Sequence, residues 1–245
     1  MTMNTTLLTF TLTLLSASAS AAGIVAFSST TGSQPPAPWH VVGLPERYNK
    51  PVTQFDLVDV DGAHVLRVHA EKSWGSVVHP VKEVVKPNSV LRWRWQLVQP
   101  LAKADIHAKP TEDSPLKVCL SFDMPAENIP SGERALFRLA QLFSKEKIPT
   151  ATLCYIWGNK EAMGYEQASL FTARVRFVVV ANESTPLKTW QTKERNIHAD
   201  FLKAFGHEAA TVPALSAILV GADADNTQGS SYGYVGDVQL VTPSQ

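Results

Sequence analysis

The segment Val90-Leu91-Arg92-Trp93-Arg94-Trp95-Gln96-Leu97 constrains the fold more than any other part of the chain. Leu91, Trp93, Trp95 and Leu97 alternate with Arg92, Arg94 and Gln96. Successive side chains of a strand point to opposite faces, so this spelling makes one apolar face and one polar face; a helix would mix the two sets. The rhythm recurs. Val65, Arg67 and His69 alternate with Leu66 and Val68, and Val118, Leu120 and Phe122 with Lys117, Cys119 and Ser121. Leu153, Tyr155 and Trp157 form a further face, and Ala173, Val175, Phe177 and Val179 oppose Arg174 and Arg176. Leu215 to Val220 is apolar almost throughout, as expected of a central strand covered on both sides. Two segments depart from this period. Ser131 is placed to cap a helix through Phe143, with Leu136, Leu139, Ala140 and Phe143 on one stripe. Residues 196–205 predict a short helix presenting Phe201, Leu202 and Phe205, stopped at Gly206. Strands outnumber helices and do not alternate with them, which argues against a parallel α/β sheet. The expected fold is all-β: an antiparallel two-sheet β-sandwich of jelly-roll type, like those of lectin and galactose-binding domains, with one or two short helices.

The first charged side chain is Glu46. The apolar run Leu7–Leu15 leads into Ser16-Ala17-Ser18-Ala19-Ser20-Ala21-Ala22, which reads as a secretory signal peptide over residues 1–22. Residues 23–38, rich in Ser, Thr, Gly and Pro, read as a linker or an edge segment. Residues 39–245 show no internal shift in composition and read as a single β-sandwich domain. No later stretch is long and apolar enough to span a membrane. The expected location is the periplasm or the exterior. There Cys119 and Cys154 either pair or sit as two buried thiols, because sequence alone does not give their separation.

In chain order the sequence carries Trp93-Arg94-Trp95, Tyr155-Ile156-Trp157-Gly158-Asn159, Arg195 with Asp200-Phe201 and Phe205-Gly206, Asp223-Ala224-Asp225-Asn226-Thr227, and Tyr234-Val235-Gly236-Asp237. This series resembles the bacterial family known as domain of unknown function 3047, over roughly Trp39 to Leu240. The chain departs from it at Glu112-Asp113 and Lys117, where two aspartates and an arginine are expected; a lysine keeps the charge but not the bidentate fork. The resemblance implies an exported bacterial protein and brings no activity with it.

Charge excludes one function class. Lys and Arg number 22, as do Asp and Glu, so nothing favours a nucleic acid partner. Gly229-Ser230-Ser231-Tyr232-Gly233 matches a nucleophile elbow in letters only: a terminal strand follows it, and no His comes after Ser231. The seven histidines show no metal-binding spacing. The Asp223 loop concentrates oxygen ligands, so a structural calcium held by Asp223, Asp225 and Asp237 competes with a simple Asx-turn. Glycoside hydrolysis by paired carboxylates has possible members in Asp123, Glu194, Asp200, Asp223, Asp225 and Asp237, with no spacing to choose among them.

The polar face is the most informative constellation. Arg67, Arg92, Arg94, Arg174 and Arg176 all oppose the apolar face of their own strands. If those strands share a sheet, the surface suits an acidic glycan or another anionic small ligand; otherwise it is a solvated face whose arginines pair with acids. Trp93 and Trp95 belong to the core, whereas Trp74 and Trp190 lie near loops and are candidates for stacking on sugar. The expected function is therefore a non-catalytic carbohydrate- or anionic-ligand-binding module, with Arg92, Arg94, Arg174, Arg176, Trp74 and Trp190 as its site. The alternatives are a polysaccharide-acting hydrolase or lyase and an envelope protein-interaction module.

Overall fold

The computed structural model describes residues 20–21, 23–142 and 148–242. The leader expectation, apart from Ser20 and Ala21, and the Phe143 end of the first helix lie outside them. The elements begin with β1 (Ser20–Ala21), β2 (His40–Val42), β3 (Gln54–Val60), β4 (Ala63–Glu71), β5 (Trp74–Glu83), β6 (Val90–Gln99) and β7 (Ser114–Phe122). There follow α1 (Ser131–Leu142), β8 (Ala151–Trp157), β9 (Glu166–Ala168), β10 (Val175–Ala181) and β11 (Gln191–Asn196). The chain closes with α2 (Ile197–Phe205), β12 (Leu215–Asp223), β13 (Ser230–Val235) and β14 (Gln239–Thr242).

These strands form a two-sheet β-sandwich. The front sheet runs β1-β14-β6-β13-β4-β3, with β11 also paired to β6; the back sheet runs β2-β5-β12-β7-β8-β10-β9. Pairing is antiparallel except between β8 and β10, which run parallel because the β9 segment and its flanking loops carry the chain back before β10 begins. The β3–β4 hairpin turns on Asp61 (φ 51°) and Gly62 (φ 75°), the Asp-Gly pair suited to two successive left-handed positions.

Alternation decides which side chains enter the core. Leu91, Trp93, Trp95 and Leu97 of β6 are buried against the back sheet. Trp93 stacks on Tyr155 with ring centroids 5.2 Å apart, and Trp95 lies 5.7 Å from Trp157. The indole N–H groups of both tryptophans are buried and meet no acceptor, so their contribution comes from ring packing alone. In α2, Asn196 caps the helix by accepting from the Ala199 N–H (2.9 Å), and Phe201 and Phe205 enter the core beside Phe122.

The centre of the back sheet, β7 and β8, is covered on both sides. Every residue of β7 is buried. Its inner face meets the front sheet, and its outer face lies in a second apolar cluster of Ile106, Cys119, Cys154, Ile156, Phe177 and Val179. Ile106 arrives on the loop between β6 and β7. Cys119 and Cys154, directly opposite in the β7–β8 ladder, form a disulfide.

Residues 23–38 pack onto the sandwich. Phe27 is fully buried against Trp39, the Trp39 indole N–H donates to the Val25 carbonyl (2.7 Å), and the Val25 N–H donates to His79 Nε2 (3.1 Å). The expected apolar stripe of α1 is not buried: Leu136 and Leu139 are 69% and 52% exposed. The helix is held instead by Phe137, partly buried against the core, by Glu133, paired with Arg174, and by Arg134, which donates to the carbonyls of Glu127 and Ile129. Among the described residues, no helix is long and apolar enough to cross a membrane.

Candidate functional site

The outer face of the front sheet is built by cross-strand register. One row places Gln54, His69, Tyr232 and Gln99 side by side; the next places Asp56, Arg67, Tyr234 and Gln96. Beyond them, Arg94 lies opposite Thr192, and Arg92 opposite Glu194. Because Tyr232 and Tyr234 are two residues apart on one strand, both rings emerge on this face. Trp190, just before β11, completes a run of four rings. Centroids are 6.4 Å apart from Trp190 to Tyr234, 5.2 Å from Tyr234 to Tyr232, and 6.0 Å from Tyr232 to His69.

Hydrogen bonds fix the rings. The Trp190 N–H donates to Asp61 Oδ2 at 3.0 Å, so the β3–β4 turn leans over the sheet to hold the indole. The Tyr232 and Tyr234 hydroxyls bond each other. Burial and the Tyr232 hydrogen bond push Tyr234 up to about 12, so its hydroxyl stays protonated at neutral pH. Arg67 forks onto both oxygens of Asp56.

The sequence-predicted arginines separate in the structure. Arg92 is half exposed and bonds Glu194 at 2.7 Å. Arg94 sits 4.6 Å above the Trp190 ring and meets no carboxylate among the described residues. A guanidinium over an indole is worth about 0.5–2 kcal/mol and leaves the edge donors free. Gly236 makes room for it: a Cβ there would fall 2.8 Å from Arg94 Cγ. Beside it opens a groove of about 360 Å³ lined by Arg92, Arg94, His64, Thr192, Asp237 and Gln239.

Arg174 and Arg176 do not share this surface, which corrects the single arginine-bearing face expected from alternation. They lie at and just before β10, in the back sheet. Arg174 is 5% exposed and pairs with Glu208 (2.5 Å) and Glu133 (3.1 Å); Arg176 also binds Glu208 and lies 4.1 Å over the Phe205 ring. Alternation assigns a residue to a face of its own strand, but it does not say which sheet that strand joins. Trp74 is also elsewhere, half-buried at the start of β5 with Lys117 5.4 Å above its ring.

The three carboxylates weighed as calcium ligands each find other partners. Asp223 accepts from Lys117 Nζ (2.9 Å) and the Ser114 N–H (2.7 Å), and burial raises its carboxyl to about 6 despite Lys117. Asp225 lies 3.4 Å from Lys50, and Asp237 binds the Ser28 hydroxyl (2.6 Å). The loop is organised from outside by Asp113, which accepts from the Thr227 N–H (2.7 Å) and hydroxyl (2.6 Å). Of the remaining acids considered for hydrolysis, Asp200 is bound by Arg195 and by the Tyr155 hydroxyl (2.8 Å). Sequence reasoning missed Tyr232, Tyr234 and His69 as partners of Trp190. The signal was the i, i+2 spacing of the tyrosines in a segment weighed only as a nucleophile elbow.

No functionally curated protein matches the sequence. Among solved structures, the chain is similar to the family 11 carbohydrate-binding module of Clostridium thermocellum (8% identity, TM-score 0.43, covering 93% of this chain and 99% of that one). It is also similar to endoglucanase 3 of Trichoderma harzianum, from family GH12 (10%, TM-score 0.42, covering 95% and 100%), and to an adhesin domain of Lys-gingipain from Porphyromonas gingivalis (9%, TM-score 0.39, covering 91% and 100%). The profile of one sequence family spans residues 37–239, nearly the whole sandwich, and by that match the chain belongs to DUF3047, a family of proteins of unknown function.

Proposed function

We propose that this protein is an exported, non-catalytic glycan-binding module that reads acidic polysaccharide on the outer face of its front sheet. One observation carries the reading: four aromatic rings in an unbroken run across a sheet face, ending at a guanidinium that meets no carboxylate among the described residues. Aromatic planes bury the apolar faces of sugar rings, and a free arginine fork takes a uronate carboxylate or a sulfate bidentately. The Cys119–Cys154 disulfide supports the exported location, because such bonds persist in oxidising compartments.

Affinity electrophoresis of the protein in gels containing acidic and neutral polysaccharides tests this. Trp190→Ala and Tyr234→Ala remove stacking and are expected to weaken retention on both kinds at least about tenfold, the equivalent of 1.4 kcal/mol. Arg94→Ala is expected to lose only the preference for acidic chains. Retention unchanged in all three variants, with folding intact, would refute the assignment.

A further inference from the structure

The loop between β6 and β7 carries a second site, unrelated to the glycan face. Ile106 is 2% exposed, inserted into the cluster around the disulfide, while its neighbours Asp105 and His107 are exposed on the other side of the loop. Glu161, from the turn after β8, comes up to them. One carboxylate oxygen of Asp105, one of Glu161 and a ring nitrogen of His107 all lie within 4.8 Å of one another. The side chains converge without joining: among the described residues the His107 imidazole makes no hydrogen bond or ion pair to either carboxylate.

The surroundings hold this arrangement. The Asp105 N–H donates to the Thr111 carbonyl (2.9 Å), and the His107 N–H donates to Asp105 Oδ1 (2.8 Å). The Asn159 side chain donates to the carbonyls of Ala102 (3.2 Å) and Ala104 (3.0 Å), and Gln167 donates to that of Ile106. The loop is thus tied to the β8–β9 segment just before Asp105 and again between Asp105 and His107.

Glu161 supplies an independent observation. It is 8% exposed, yet no lysine or arginine pairs with it among the described residues; its one side-chain hydrogen bond comes from the Asn159 N–H (2.8 Å). Gly158 lets the carboxylate settle there, since a Cβ would fall 2.9 Å from Glu161 Oε2. A buried carboxylate facing a second carboxylate and an imidazole calls for a cation. We propose that Asp105, His107 and Glu161 bind a first-row divalent metal ion, zinc above all. An imidazole with two carboxylates suits zinc, whereas calcium and magnesium prefer oxygen ligands alone. The exposed side leaves room for water at the remaining position.

The test is isothermal titration of the chelator-treated full protein with zinc chloride, then with calcium and magnesium chloride. One equivalent of zinc is expected to bind and to raise the melting temperature. His107→Ala and Glu161→Gln are each expected to lower zinc affinity by more than about 10–100-fold, the loss typical of removing a mere supporting group. The melting temperatures of these variants should no longer respond to zinc. Absence of saturable zinc binding, zinc binding unchanged in His107→Ala, or equally tight binding of calcium would each overturn the proposal.

Discussion

Removing Glu208 should unfold the protein far more readily than removing any surface acid. Its side chain is 2% exposed and is shared by Arg174 and Arg176. In Glu208→Ala, Arg174 keeps only the half-exposed Glu133 and the Thr150 carbonyl, and two guanidinium groups face each other without their common anion. Breaking a buried ion pair on one side costs about 3–5 kcal/mol, because it strands the remaining charge. For a domain of this size each kcal/mol moves the melting temperature by about 2–4 °C, so the variant should melt about 6–20 °C lower. Arg92→Ala loses a solvated pair and should cost no more than about 1 kcal/mol. The difference is also pH-dependent. Burial pushes the Glu208 carboxyl up, but the hydrogen bond and charge of Arg174, with Arg176 and His207, hold it below its ordinary 4.5. The unfolded chain takes up this proton first, so the Glu208 contribution is complete above pH 4.5 and fades as pH falls through the depressed value. Thermal melts followed by circular dichroism at pH 7 and below pH 4 read both effects. If Glu208→Ala melts within about 2 °C of wild type, the arginines of the back sheet are solvated, and their assignment as structural ion pairs fails.

Two further titrations have opposite signs. Burial lowers His79 below its ordinary 6.5; its Nε2 accepts from Val25 and its Nδ1–H donates to the Pro80 carbonyl (2.8 Å), which requires the neutral ring. Below pH 6.5 the unfolded chain protonates first, so acid should loosen the segment around Phe27, seen as faster hydrogen exchange of the Val25 amide at pH 5 than intrinsic rates explain. Protection independent of pH would refute this. Asp223, raised to about 6 by burial, binds its proton more readily when folded, so its contribution to stability grows as pH falls through 6. Carbon-13 titration of that carboxyl should show a midpoint near 6, and a midpoint at or below 3.8 would mean that Lys117 outweighs burial.

The strands were legible because burial writes a two-residue period into them, and β6 is the clearest example. The α2 helix was legible because Asn196 and two phenylalanines mark its start and its buried stripe. The stripe of α1 misled, since a 3.6-residue pattern identifies an amphipathic helix without showing that its apolar side is covered. The site was half legible. Arg94 and Trp190 could be singled out one at a time, but their contact depends on β11 pairing with β6 from far along the chain. The Asp223 loop looked like a cation site because its partners, Lys50, Lys117 and Asp113, are distant in sequence. The loop bearing Ile106 has no regular period, so its placement over the disulfide left no trace in the pattern.

That loop makes the two halves of the sandwich evolve under different rules. A substitution in the outward cluster around the disulfide lands in a filled interior and must fit its shape. On the tyrosine side, water is the usual neighbour, and side chains can be exchanged at small cost to folding. Sequence variation within this family should therefore collect on one flank of the molecule, with the opposite flank serving as its fixed backing.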